Sequence, residues 1–227
     1  MGLLMLWEEG KVFFSFLLSD WSSLNLLINS LVLNPQGRHY QALKKYMDDK
    51  FEDFYYDEDA IFMERNSRDF KQRIRIIDSN AEAICDFLRQ RSVAGGGASS
   101  SPAIKEVFYP KYITPENYNH CRIKDLNGKV VGGYGGLFSL TFTCLETSTA
   151  FFDALPCYKG PSLGTNFTLA CPYTILAHFT ELGWAAEFGV EEGLVRISVG
   201  TEDTDVLIRD FGVALAAAEA VTTTTSS

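Results

Sequence analysis

The chain has 227 residues, a formal net charge of -9 and 46% hydrophobic residues. These values are typical of a globular protein large enough for one domain with an appendage. The acidic balance argues against nucleic-acid binding, because phosphate contacts require clustered Lys and Arg. No segment reaches the ~18–20 apolar residues of a membrane span, and the first residues lack a signal-peptide pattern. We therefore expect a cytoplasmic protein whose five scattered cysteines are reduced.

The amino-terminal part divides into short stretches of different texture. Residues 1–29 are apolar and irregular, and residues 30–34 ("SLVLN") predict a short buried strand that stops at Pro35. Residues 38–47 predict a short amphipathic helix. Residues 48–59 carry seven acidic residues and one lysine, which predicts a solvated loop.

A long helix over residues 67–91 is the clearest pattern in the sequence. Asn66 or Ser67 can cap its first turn with a side-chain oxygen. Its apolar residues are spaced three or four apart and share one face: Phe70, Ile74, Ile77, Ala81, Ile84 and Leu88. The glycines and serines of residues 92–102 predict a flexible loop after it.

Strands and helices follow one another from residue 103 onward. The predicted strands are residues 104–109, 136–142, 167–170 and 194–199. The predicted helices are residues 147–155, 176–188 and 201–221, the last one capped by Thr201. Residues 111–128 predict a polar loop, and the tail 222–227 predicts disorder. This order predicts a two-layer α+β domain in which helices cover one face of a sheet.

Arg196 is the first candidate for a binding residue. It lies in "GLVRISVG", where Val195 and Ile197 point to the opposite face of the predicted strand. A guanidinium on an apolar strand needs an anion, and its fork suits a carboxylate. The sequence leaves open whether that carboxylate belongs to an Asp or Glu of the chain or to a ligand.

Ser162 is the second candidate. It lies in "GPSLGTN", where Pro161 and Gly164 predict a tight turn. Its hydroxyl can bind either a ligand or its own backbone. No Cys or His spacing indicates a metal site, and no Ser, His and Asp spacing indicates a catalytic triad.

Several strings of the sequence are similar to a known family. "PSLGTNFTLACPY" and "GLVRISVGTEDTDVLIRDF" resemble the carboxy-terminal signature of the Cys/Met-metabolism (transsulfuration) enzymes that depend on pyridoxal phosphate (PLP). "MERNSRDF", "VFYPKY", "NYNHCR" and "GGYGGLFSLTF" are most similar to the fungal cystathionine γ-synthase type. The resemblance runs from about Ser30 to Ala217. It implies the small carboxy-terminal domain of a fold-type I PLP-dependent transferase at residues 67–221, a remnant of the large α/β domain at residues 30–66, and a non-matching segment at residues 1–29.

The resemblance also implies a function. It implies PLP as cofactor, an amino-acid substrate, a homo-oligomer, and γ-replacement on an activated homoserine. A related sulfhydrylase or lyase of a specialised pathway is equally compatible. In the family, the arginine that matches Arg196 binds the α-carboxylate of the substrate, and the serine that matches Ser162 lines the same site.

One departure from the family concerns the lysine that holds PLP. The family string "SxTKxFSGxxNVMGGSLVLNP" survives here only in its tail, at residues 29–35, and Leu18 stands at the lysine position. A Schiff base needs an amine, so we expect this chain to lack a catalytic residue and to be incomplete or inactive alone. It is then either a fragment or mis-spliced form of a normal enzyme, or a truncated relative that acts as an interaction protein.

Overall fold

The computed structural model describes residues 33–52, 56–97 and 102–225. The chain divides into two compact units, residues 1–69 and residues 70–227. In the first unit, helix α1 spans Tyr40–Lys50 and helix α2 spans Asp57–Ser67, and neither helix buries a residue.

Both ends of the acidic run are helical rather than a loop, because residues 48–50 end α1 and residues 57–59 begin α2. Helix α1 is confirmed but continues to Lys50, because Lys45 forms an ion pair with Asp49 at 2.6 Å, one turn along. Helix α2 was not predicted, and it begins with acidic residues from Asp57, which the positive end of the helix dipole favours. In the predicted strand at 30–34, the first three residues lie outside the described ones, and the other two lie in no strand.

The second unit begins with helix α3 at Phe70–Arg89. Its further elements, in chain order, are β1 (Ile104–Phe108), α4 (Pro115–Asn119), β2 (Leu137–Phe142), α5 (Leu145–Ala154), β3 (Tyr158–Lys159), β4 (Leu169–Pro172), α6 (Tyr173–His178), α7 (Leu182–Glu187), β5 (Val195–Ser198) and α8 (Thr204–Thr225). The strands form one sheet in the order β1-β2-β5-β4-β3. Its pairs are antiparallel, except that β3 and β4 run parallel. The α+β prediction is confirmed.

The hydrophobic core lies on one face of this sheet, under α3, α5 and α8. Phe138 of β2 stands opposite Ile197 of β5, and Leu140 stands opposite Val195. All four side chains are buried in one cluster with residues of the three helices. Burial of each such side chain contributes about 1.5–3 kcal/mol. Every second residue of β2, β4 and β5 therefore faces away from this core.

Helix α3 buries less of its apolar face than the spacing predicts. Its buried residues begin at Ile77, whereas Phe70 and Ile74 are 48% and 44% exposed. The predicted cap is wrong, because Ser67 ends α2 and its hydroxyl donates to the Glu64 carbonyl oxygen at 2.7 Å.

Helix α8 begins three residues later than predicted. Thr201 is not its cap, because the Asp203 carboxylate accepts the backbone N–H groups of Asp205 and Val206 at 2.9 and 3.2 Å. The helix also continues to Thr225, into the predicted tail. The hydroxyl of Thr222 donates to the Glu219 carbonyl oxygen there.

Asn80 ties α3 to the segment that leads into α8. Its side chain is 1% exposed. The amide donates to the carbonyl oxygens of Gly200 and Glu202 at 3.2 and 2.8 Å, and the amide oxygen accepts the Thr204 hydroxyl at 2.6 Å. Buried polar groups must be paired in this way, because an unpaired group costs about 1–3 kcal/mol.

We predict that Asn80→Asp lowers the free energy of unfolding by about 2 kcal/mol at neutral pH. The introduced carboxylate would face two carbonyl oxygens, whereas its protonated form can still donate to one. Burial therefore raises the pKa of that carboxyl, and the variant loses stability as the pH rises through it. Urea unfolding at pH 4 and pH 7 measures this. Asn117→Asp, at an exposed position, is the matched control, and equal stability of the two variants would contradict the prediction.

Candidate functional site

Arg196 lies in the middle of β5, on the sheet face that turns away from the core. Its neighbours in register are Ser139 on β2 and Cys171 on β4. Directly opposed residues on neighbouring strands place their side chains about 4.5–5.5 Å apart on the same face. The sheet therefore places the half-buried guanidinium between a hydroxyl and a thiol.

The guanidinium of Arg196 is held by two contacts, neither of which is an anion. Its Nη2 donates to the Pro161 carbonyl oxygen at 2.6 Å. Its Cζ lies 5.2 Å from the ring centroid of Tyr173, within the range of a cation–π interaction. Within residues 33–52, 56–97 and 102–225, no carboxylate pairs with Arg196, and its Nε and Nη1 have no hydrogen-bond partner. The described residues therefore do not supply the anion.

The two cross-strand neighbours of Arg196 do not neutralise its charge either. Cys171 is 3% exposed, and this burial raises the pKa of its thiol, although Arg196 acts in the opposite direction. The thiol therefore stays protonated at neutral pH, and the Ser139 hydroxyl is neutral as well. The described residues of this face therefore leave the positive charge uncompensated, and it favours an incoming anion.

The loop between β3 and β4 is fastened to β5 next to this guanidinium. Besides the bond from Arg196 to Pro161, the Gly164 N–H donates to the Ser198 hydroxyl at 3.1 Å. The backbone N–H and the hydroxyl of Thr201 both donate to the Asn166 carbonyl oxygen, each at 2.9 Å. Gly164 has φ of +72°, which suits a residue without Cβ. Thr201, predicted as a helix cap, thus holds this loop instead.

Ser162 lies in the same loop, directly after the residue that Arg196 holds. Its side chain is half-buried, and its hydroxyl makes no hydrogen bond to the described residues. Pro161 and Gly164 each lie at a backbone bend rather than in the predicted hydrogen-bonded turn, and the Ser162 hydroxyl does not bond its own backbone. β5 is the central strand of the sheet, and Ser162 lies directly after the residue that Arg196 holds. We call this region the Arg196 site.

The sequence did not indicate three further residues of the Arg196 site. Ser139 and Cys171 lie beside Arg196 only because β2 and β4 both pair with β5, which the sequence pattern does not reveal. Tyr173 follows β4 directly, two residues after Cys171, and its place in the sequence did not indicate a contact with Arg196. Among the described residues, no group of three His, Cys, Asp or Glu side chains is placed to hold a metal ion, and no helix is long and apolar enough to cross a bilayer.

Comparison with known proteins identifies the family. The family model of the Cys/Met metabolism PLP-dependent enzymes matches residues 32–216, and the chain belongs to this family. A cystathionine gamma-synthase-like enzyme of Amanita muscaria is 64% identical over 202 residues, which are 86% of this chain and 32% of that enzyme. The cystathionine gamma-synthase of Neurospora crassa is 45% identical over 196 residues, which are 86% of this chain and 29% of that enzyme.

A solved structure confirms the fold. The cystathionine gamma synthase from Xanthomonas oryzae pv. oryzae, in complex with cystathionine, superposes with a TM-score of 0.53 at 26% identity. The match covers 69% of this chain and 37% of that one. The chain thus spans about a third of the length of the relatives it matches.

The described lysines of the sheet region do not fit the cofactor of the family. PLP needs a lysine amine for its Schiff base, and the lysines of the sheet region are bound elsewhere. Lys105 pairs with Glu191, and Lys111 pairs with Glu82. Lys159 donates to the carbonyl oxygen of Leu155 at 2.8 Å. Leu18, predicted at the lysine position, lies outside the described residues.

Proposed function

We propose that this chain supplies the substrate-carboxylate part of the site of a cystathionine γ-synthase-like enzyme of sulfur amino-acid metabolism. The reaction proposed for the complete site is γ-replacement, in which cysteine displaces the activating group of a homoserine derivative and cystathionine forms. Arg196 would bind the α-carboxylate of the amino acid. Ser162 would line the same site.

The unpaired guanidinium of Arg196 carries this proposal. Among the described residues, its Nε and Nη1 have no partner, its one hydrogen bond goes to a neutral carbonyl, and its cross-strand neighbours are neutral. A carboxylate that accepts two parallel N–H bonds would complete the arrangement. The matched relatives named as cystathionine gamma-synthases, and the Xanthomonas oryzae structure with cystathionine, support an amino acid as the ligand.

We propose further that this chain alone does not turn over substrate. A site must orient both reactants to lower a barrier. The Arg196 site orients only the carboxylate end of one reactant. The proposed location of the enzyme is the cytoplasm, and its proposed assembly is a homo-oligomer. The proposed pathway is methionine biosynthesis.

A related reaction is the second candidate, because the matched region is shared by enzymes with different names. An alanine racemase of Aspergillus violaceofuscus is 30% identical over 201 residues, or 86% of this chain. An L-2-amino-4-chloropent-4-enoate dechlorinase/desaturase is 30% identical over 169 residues. Binding of an α-carboxylate serves any of these reactions equally. The choice between γ-replacement and a lyase or sulfhydrylase reaction would then depend on groups outside the Arg196 site.

We predict that the full chain binds L-homoserine, but binds L-homoserine amide, which lacks the carboxylate, about tenfold more weakly, because charge-assisted hydrogen bonds contribute about 1.5–3 kcal/mol. Arg196→Gln should weaken homoserine binding by a similar factor and leave amide binding unchanged. Calorimetric or NMR titration measures both. Arg209→Gln is the matched control, because Arg209 is exposed on α8 and pairs with Asp210. Equal binding of the acid and the amide would refute the proposal.

A titration with PLP tests the proposed lack of a Schiff base. We expect the full chain to give no internal-aldimine absorbance band and no stoichiometric adduct on a single lysine after borohydride reduction, because Leu18 offers no amine at the lysine position. Mass spectrometry of the reduced protein would locate any adduct. A stoichiometric adduct on one lysine, with a matching aldimine band, would show that another amine serves the cofactor.

A further inference from the structure

Tyr173 is fixed to the same strand that carries Arg196. It is the first residue of α6, and its backbone N–H donates to the carbonyl oxygen of Leu194 at 3.1 Å. Leu194 stands directly before β5 and only two residues before Arg196. This hydrogen bond extends the register of β4 and β5 by one residue pair, and it therefore restricts movement of the Tyr173 backbone relative to the arginine.

The ring of Tyr173 is also supported from the side of α6 and α7. His178 packs against it edge to face, with ring centroids 5.7 Å apart and planes at 70°. His178 in turn bonds to the Glu181 carboxylate through Nδ1 at 2.7 Å, and its ring lies 6.3 Å from that of Trp184. Aromatic pairs in such geometries attract each other beyond the effect of their buried area. The contact with His178 thus restrains the Tyr173 ring that faces the guanidinium.

This contact restrains Arg196 without using its donors. An arginine side chain has considerable rotamer entropy, part of which is lost when its guanidinium is bound. The hydrogen bond to Pro161 fixes only one nitrogen. The Tyr173 ring lies against the guanidinium at 5.2 Å, and an aromatic face attracts a cation without accepting its N–H bonds in the guanidinium plane. As far as the described part of the chain is concerned, Nε and Nη1 consequently stay available for a ligand.

We infer that Tyr173 is a positioning residue for the ligand carboxylate: its ring holds the guanidinium of Arg196 in the orientation that binds the carboxylate before the ligand arrives. This inference rests on the proposed function, because Tyr173 would preorganise the guanidinium that binds the carboxylate in that proposal. Preorganisation strengthens binding by removing an entropic cost that the ligand would otherwise meet. Tyr173 itself does not have to touch the ligand.

The test compares three full-length variants by titration with L-homoserine. We expect Tyr173→Leu to weaken homoserine binding about tenfold, since a partly desolvated cation–π contact is lost. Tyr173→Phe keeps the ring and should bind within about twofold of the original chain. Phe188→Leu is the matched control, because Phe188 is an exposed aromatic residue of the same segment that packs on Trp184, and it should leave binding unchanged.

A second measurement separates positioning from a general loss of structure. Exchange of the Arg196 Nε–H proton with water, followed by NMR without ligand, should become several-fold faster in Tyr173→Leu and stay unchanged in Tyr173→Phe and Phe188→Leu. Circular dichroism and urea unfolding confirm that the variants fold. Tyr173→Met, with an unbranched apolar side chain, replaces Tyr173→Leu if the latter does not fold.

The outcomes distinguish this inference from the proposed function. Unchanged homoserine binding and unchanged Nε–H exchange in a folded Tyr173→Leu would overturn the positioning role, whatever the original chain binds. Equal weakening by Phe188→Leu would also overturn it, because the effect would then be general to the segment. If the original chain does not bind homoserine, the proposed function fails, and the exchange rates still decide whether the ring holds Arg196.

Discussion

The guanidinium of Arg196, which has no anionic partner among the described residues, is the constraint on which the candidate site depends. A strand places it between two neutral side chains, a loop carbonyl fixes one of its nitrogens, and an aromatic ring supports its plane. Each of these contacts restrains the cation, but none compensates its charge. Because an unpaired charge on a partly buried strand is costly, the proposal that a carboxylate from outside the described residues binds Arg196 accounts for this arrangement.

The fold explains why this charge can be tolerated. The core under α3, α5 and α8 uses only one face of the sheet, so that the alternate residues of β2, β4 and β5 are not needed for core packing. Arg196 lies between Val195 and Ile197, both fully buried on the core side. Buried strand neighbours of this kind hold the backbone of Arg196 rigidly, and a rigid backbone is what a geometrically demanding bidentate contact requires.

Local patterns predicted the parts of the structure that depend on local physics. Alternation in "GLVRISVG" identified β5 and placed Arg196 on the face opposite Val195, and the resemblance of the strings around Ser162 and Arg196 indicated their shared site. The neighbours Ser139 and Cys171 could not be predicted, because strand order depends on contacts between residues far apart in the sequence. Helix α2 was missed because its acidic start resembles a solvated loop, although acids at a helix amino terminus are favourable.

The most direct test supplies the missing anion from within the chain. Ser139→Asp would place a carboxylate in register with Arg196 on the neighbouring strand, where opposite charges attract. We predict that this variant folds and binds L-homoserine about tenfold more weakly than Ser139→Asn, the neutral control of the same size, because the internal carboxylate occupies the guanidinium and repels the ligand. Equal homoserine binding by the two variants would contradict the claim that Arg196 binds the carboxylate of a ligand.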